Sequence, residues 1–182
     1  EVEEGDGAFY GPKIDIKFVD AMEREWTVST VQVDFVQPEN FNLHFIGADG
    51  QKHRPAIIHR TIVGSIERFI AVILEHTKGK LPLWLAPVQA RVLSISEKQK
   101  EYANKLTQEL VDAGMRVEAD TSDEKIASKI KRSQMQQIPW MLVVGGQEEA
   151  AQTATLRLLD GSQTPGLTLH DLVARASKEC NP

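Results

Sequence analysis

The chain has 182 residues, of which 41% are hydrophobic, and a formal net charge of −5 at pH 7. That length allows one large domain or two small ones, and the composition is that of an ordinary globular protein. The acidic balance excludes binding of polyanions through bulk charge and leaves only a local basic face for nucleic acid.

In chain order the first element is FYGPKIDIKF, where Ile14, Ile16 and Phe18 alternate with Lys13, Asp15 and Lys17. This period of two predicts a half-buried strand with its apolar set on one face. WTVSTVQVDF repeats the pattern, with Val31, Val33 and Phe35 against Thr30, Gln32 and Asp34, and the polar link DAMERE makes the pair an antiparallel hairpin. A third, weaker strand is expected at NLHFIG, leading through ADGQKH to PAIIH. From there PAIIHRTIVGSIERFIAVILEH reads as a short strand entering a core helix, with Ile62, Ile66, Phe69, Ile70 and Ile73 at helical spacing. The first part is therefore an antiparallel sheet with a helix packed against it.

Two prolines and two lysines in TKGKLPLWLAP mark a boundary near Pro82, which divides the chain into domains 1–81 and 82–182. The grammar then changes. QARVLSIS is an apolar strand, and Glu97 to Ala113 an amphipathic helix with Tyr102, Leu106 and Leu110 on one stripe, ended by Gly114. MRVEA is a short strand, Asp123 to about Gln137 a helix, and WMLVVG another apolar strand. ATLRLLDG follows a polar link, GSQTPG is a turn, and Leu169 to Ser177 closes the chain as a helix. Strands separated by helices predict a parallel or mixed α/β sheet.

The single cysteine, Cys180, offers no disulfide framework and no self-contained Cys/His metal cluster, so a reducing compartment fits best. No apolar run reaches the roughly 18 residues that span a bilayer. The start EVEEGDG has no basic or apolar targeting segment and no initiator methionine, and a piece of a longer protein is expected.

Several polar groups could carry chemistry. His59 and Arg60 stand where a strand meets the helix, and Gly64 and Arg68 are one turn apart, so that glycine leaves Arg68 uncovered to reach a polyanionic ligand. The bland alternative pairs Arg68 with Glu67 or Glu75 on the surface. His59 is either a metal ligand or a hydrogen-bonded structural residue. Tyr10 and Lys13 follow a glycine-rich stretch that matches no phosphate-loop spacing, and they hold a carboxylate or phosphate or are ordinary strand residues. Thr30 and Gln32 share a polar sheet face, which a helix bearing Arg68 would roof into a pocket. Lys125, Lys129 and Arg132, with Lys131 adjacent, form either an RNA-backbone patch or a solvated helix face, with only Trp140 near enough to stack on a base.

GAFYGPKID, STVQVDF, IIHRTIVGSIERF and WLAPVQ, in this order, resemble segments of the threonyl-tRNA synthetases, from about Gly5 to Val144 and more weakly beyond. HRTIVGSIERF resembles the third signature motif of class II aminoacyl-tRNA synthetases. The fold this implies is α+β then α/β: part of a class II antiparallel sheet with a packed helix, followed by an anticodon-binding domain with a mixed sheet. The activity implied is threonine–tRNA ligation, in which threonine and ATP, with magnesium, give an adenylate whose acyl group passes to tRNA(Thr). By this resemblance Arg68, Lys13, Thr30 and Gln32 line the ATP site, and Tyr10, Lys13, Gln32 and Ser65 the threonine site. His59 matches one of three zinc ligands, the others lying upstream of this chain, and Glu148 and Arg157 lie near the anticodon bases. The zinc holds the amino and hydroxyl groups of threonine, which matters because an apolar pocket separates threonine from its near-isostere valine poorly. A cytoplasmic homodimer without a membrane is the implied setting.

The chain also departs from the family. The family has glutamine where Thr27 stands, asparagine where Asp123 stands, and basic residues where Gln136 and Gln137 stand. The first and second class II motifs, and the remaining zinc ligands, are missing ahead of Glu1, so this chain alone is expected to bind zinc poorly and not to activate threonine. A second reading is a tRNA-binding or regulatory paralogue without catalysis, favoured by Thr27 and the altered anticodon positions and disfavoured by the joint presence of Lys13, Gln32, His59 and Arg68. An unrelated α/β nucleotide-binding enzyme leaves the ordered segment matches unexplained.

Overall fold

The computed structural model describes residues 2–20 and 22–181. The described residues gather into two compact units, one ending at Lys78 and one starting at Gly79.

In the first unit, β1 (Lys13–Val19) and β2 (Glu25–Asp34) form the expected antiparallel hairpin, and β5 (Ile57–Thr61) adds to the free edge of β2 in the order β1-β2-β5. The third strand of this sheet is therefore PAIIHRT and not NLHFIG. The latter contributes only β3 (Phe45–Ile46), which pairs with β4 (Lys52–His53) in a separate small hairpin closed by ADGQ. Between β2 and β3 runs a short helix that alternation did not foretell, α1 (Val36–Asn40). Its first N–H groups, on Val36 and Gln37, are both taken by one carboxylate oxygen of Asp34 at 2.9 Å, which supplies the partner that a helix start needs.

Ahead of β1 the chain lies along β2, with Val33 N–H donating to Pro12 and Phe35 N–H donating to Tyr10. Gly11 makes this possible: its φ is +156°, and a Cβ there would collide with the carbonyl oxygen of Val33. The second helix, α2 (Ile66–Thr77), is capped by Ser65 and ends on Lys78 in the left-handed conformation.

Two expectations for this unit are corrected. Ile14 and Ile16 are 69% and 55% exposed, so the apolar face of β1 is not covered at these positions. Likewise α2 is not a core helix among the described residues, because only Val72 is buried while Ile66, Ile70 and Leu74 form an exposed stripe at four-residue intervals, and Ile62, in the turn ahead of the helix, is exposed as well. Alternation fixes which side chains share a face, but burial needs an opposing layer, and the described residues of this unit do not supply one at these positions.

The second unit carries its own core. The strands β6 (Ala90–Ser94), β7 (Val117–Asp120) and β8 (Trp140–Val144) are parallel, with β6 in the middle. β9 (Ala154–Leu158) and β10 (Gln163–Leu167) continue antiparallel beyond β8, so the sheet is mixed, in the order β10-β9-β8-β6-β7. The helix α3 (Lys100–Asp112), preceded by a 3-10 turn, buries Tyr102, Leu106 and Leu110 as the stripe predicts, and α6 (Leu169–Cys180) adds Leu172 and Ala176. These meet Ala90 and Val92 of β6, Trp140, Leu142 and Val144 of β8, and Leu156 of β9. Each such large side chain removed from water stabilises by about 1.5–3 kcal/mol. The helix α4 (Ile126–Met135) starts three residues later than expected, and the polar link before β9 folds as α5 (Gly146–Ala151).

GSQTPG is more than a turn. Gly161, at φ +89°, and Ser162 make the reversal, but Gln163 to Leu167 pair with β9 as an edge strand whose register slips around Pro165. A proline has no N–H to give to a ladder, and an edge strand tolerates it.

Candidate functional site

The β1-β2-β5 register aligns the polar candidates in rows. Lys13 stands opposite Gln32, which stands opposite His59; in the next row Asp15 faces Thr30, and Thr30 faces Thr61. Directly opposed residues on one sheet face are within side-chain reach, and the hydrogen bonds follow this pattern. Tyr10, held beside β2, donates its hydroxyl to Gln32 Oε1 at 2.7 Å, and its ring meets His59 edge-on at 5.9 Å. Thr30 donates to Asp15 at 2.7 Å. Lys13 pairs with both Asp6 and Asp15, at 2.8 and 2.9 Å, and these two partners hold its ammonium well above the ordinary lysine pKa. An anionic ligand would have to compete with two carboxylates for Lys13, a constraint that the sequence did not display.

His59 is half-exposed. Its Nε2 lies 2.9 Å from Asp34 Oδ2, while Nδ1 makes no hydrogen bond among the described residues. Asp34 is only 1% exposed. Burial pushes its carboxyl pKa up, but the Gln37 N–H, the His59 imidazole and the Val36 N–H together outweigh that and leave it below the ordinary value. An imidazole with one nitrogen tied and the other lone pair open fits the role of one metal ligand. Among the described residues no group of three or more His, Cys, Asp or Glu gathers as a further ligand set.

The turn from β5 into α2 accounts for Gly64 differently from the sequence reading. Gly64 lies outside the helix at φ +65°, a left-handed conformation that favours glycine, so its role is the backbone reversal and not the uncovering of Arg68. Ser65 accepts from the Arg68 N–H at 3.3 Å and donates to Glu67 at 3.1 Å. The guanidinium of Arg68 is not paired with either proposed carboxylate: Glu67 serves Ser65, and Glu75 pairs with Arg24. Arg68 thus remains available to an anion, beside a Gly64 that borders the Thr27 and Val28 carbonyls. The helix meets the sheet through Phe18, whose ring is edge-on to His76 at 5.9 Å. By alternation Phe18 is on the face opposite Lys13 and Asp15, so α2 does not roof the polar face as expected. The structure brings Tyr10, Lys13, Thr30, Gln32 and His59 together, and sets Ser65 and Arg68 at the helix entrance.

In the second unit Glu148 is a cap. Its carboxylate accepts from the Gly145 N–H at 3.0 Å and from the Thr155 hydroxyl at 2.9 Å. Arg157 lies two residues beyond Thr155, on the same face of β9, and its buried Nε has no hydrogen-bond partner among the described residues. The proposed basic stripe dissolves. Lys129 is 1% exposed and donates to the carbonyls of Ser94 and Asp120 and to the Ser94 hydroxyl, while Arg132 pairs with Asp120 and Glu124. Trp140 is buried, with Arg175 over its ring at 5.7 Å, and cannot stack on a base. Gln136 accepts from Arg91, which also pairs with Glu118, and Cys180 accepts from Gln89 at 3.5 Å and packs on the core.

A family model described as tRNA synthetase class II core domain (G, H, P, S and T) matches residues 1–77, and one described as anticodon binding domain matches residues 89–179. A threonine–tRNA ligase from Maridesulfovibrio salexigens is 52% identical over 166 residues, 91% of this chain and 26% of the relative. One from Nitratidesulfovibrio vulgaris is 48% identical over 98% of this chain and 28% of its own length. The chain therefore spans about a quarter of the length of the curated relatives it matches. The crystal structure of the RNA binding domain of threonyl-tRNA synthetase from Cryptosporidium parvum superposes with a TM-score of 0.92 and 49% identity, over 98% of this chain and 45% of that one.

Proposed function

The chain belongs to the threonyl-tRNA synthetases of class II, and we propose that the intact protein is a threonine–tRNA ligase, of which residues 1–81 are part of the catalytic domain and 82–182 the anticodon-binding domain. Its substrates are threonine, ATP with magnesium, and tRNA(Thr), and its setting is a cytoplasmic homodimer. The observation that carries this reading is the row Lys13, Gln32 and His59 across β1, β2 and β5, with Tyr10 bonded to Gln32.

That row assembles the groups an amino-acid site needs. Tyr10 and Gln32 offer a fixed donor and acceptor pair for the substrate, His59 offers its open Nδ1 to zinc, and Ser65 rims the site. Zinc, when bound, supplies a Lewis acid for the threonine amino and hydroxyl groups, and so a penalty against valine that an apolar wall cannot supply. Arg68, without a carboxylate partner among the described residues, binds ATP phosphate through its planar fork, and Lys13 and Thr30 contribute to the same nucleotide. Lys13 does so by exchanging one of its two carboxylates for phosphate oxygen. Glu148 acts at the anticodon mainly by fixing Gly145 and Thr155, and Arg157 is the group that meets the bases.

The test is threonine-dependent ATP–pyrophosphate exchange in the intact protein. Exchange is expected, and Arg68→Ala should raise the ATP requirement without releasing zinc. Absence of exchange in a fully zinc-loaded parent would contradict the ligase reading and leave the non-catalytic paralogue.

A further inference from the structure

We propose that Asp34 is a positioning residue that fixes the tautomer and ring orientation of His59, so that Nδ1 is the nitrogen presented to the metal. This rests on the reading of His59 as a zinc ligand. Three observations lead to it. Asp34 is almost fully buried, and its carboxylate is divided between two tasks: Oδ1 accepts from the N–H groups of Val36 and Gln37 at 2.9 Å, and Oδ2 meets His59 Nε2 at 2.9 Å. In a neutral imidazole one ring nitrogen donates and the other accepts, and with Nε2 set against a carboxylate oxygen at 2.9 Å it is Nε2 that donates and Nδ1 that keeps the lone pair. Finally, the Tyr10 and His59 rings meet in an edge-to-face arrangement with centroids 5.9 Å apart, and the Tyr10 hydroxyl is itself fixed by Gln32.

The two backbone donors on Oδ1 make the arrangement one-way. They hold the carboxylate plane, and that plane aims Oδ2 at the imidazole, so the start of α1 and the orientation of His59 are set by one side chain. Metal-bound histidines commonly donate their second ring N–H to a carboxylate in this manner, and loss of such an outer partner typically costs about 10–100-fold in metal affinity.

Asp34→Asn separates this role from simple support of the fold. Oδ1 of the asparagine is pinned by the same two N–H groups, because the flipped amide would set its NH2 against two donors. Nδ2 then faces His59 and donates to Nε2, which drives the proton to Nδ1 and blocks the metal. In the intact protein, zinc affinity measured by chelator competition is expected to fall about 10–100-fold, with a thermal midpoint close to the parent's when both are metal-free. The metal-free 182-residue chain, labelled with 15N at histidine, is expected to carry the His59 proton on Nε2 in the parent and on Nδ1 in Asp34→Asn. The parent measurement needs no substitution, and a parent His59 protonated on Nδ1 overturns the proposal whether or not the variant folds. His59→Ala in the intact protein separates the two claims. Zinc retained there overturns the ligand reading itself, whereas zinc lost there but bound normally by Asp34→Asn overturns only the positioning role.

Discussion

The two units are built on the same alternating grammar, but within these residues only the second covers its apolar faces. In the second, the main apolar stripes find partners: Ala90 and Val92, Trp140 and Leu142, Leu106 and Leu110 lie against one another with almost no exposure. In the first, Val72 is buried, while Ile14, Ile16, Ile58, Ile62, Ile66 and Ile70 are exposed. What the first unit organises well is its polar side, where Tyr10, Gln32, Asp15, Thr30, Asp34 and His59 are hydrogen-bonded across strands. A sheet face can be chemically specified before it is covered, and the two properties need separate evidence.

The largest effect expected from this contrast is in core truncation. Leu142→Ala should lower stability by about 3 kcal/mol, whereas Ile66→Ala should stay within about 0.5 kcal/mol. Chemical denaturation of both variants measures the difference, and equal losses would erase the distinction between the units. Next, Lys129→Ala should cost about 2 kcal/mol, because it strips the carbonyls of Ser94 and Asp120 of their buried donor. A lysine on a solvated or RNA-facing helix would show almost none of that loss.

The smallest effect is in acid. Burial pushes the Asp120 carboxyl pKa up, but the Ser122 hydroxyl and the Arg132 guanidinium bring it below the ordinary value. A group depressed in the folded state stabilises fully above its unfolded pKa of about 3.9, and the contribution fades as pH falls through the folded value. Asp120→Asn should therefore flatten stability against pH below about 4 and leave that slope unchanged near neutrality. An unaltered acid limb would count against the pair with Arg132.

Much of this was legible in the sequence, for reasons that differ from element to element. ARVLS and WMLVV are short apolar runs between helices, and the pattern Tyr102, Leu106, Leu110 has only one helical reading. The polar row Lys13, Gln32 and His59 could be named from motif likeness and from strand period. Asp34 could be set on the polar face but not matched to His59, since that contact depends on how β5 registers against β2. Lys129 was misread because helical spacing reports a stripe and says nothing of carbonyls at the ends of distant strands. α5 hid inside a polar link because its cap, Glu148 to Gly145, depends on one short local bond. Gly64 was given the wrong task because a φ of +65° leaves no trace in periodicity.

The claim on which the rest depends is that the polar face around His59 selects threonine. ATP–pyrophosphate exchange with threonine and with valine, run side by side on the intact protein and on His59→Ala, tests it most directly. The account predicts a strong preference for threonine in the parent, and loss of both zinc and that preference in the variant. An unchanged threonine-to-valine ratio in His59→Ala would contradict it.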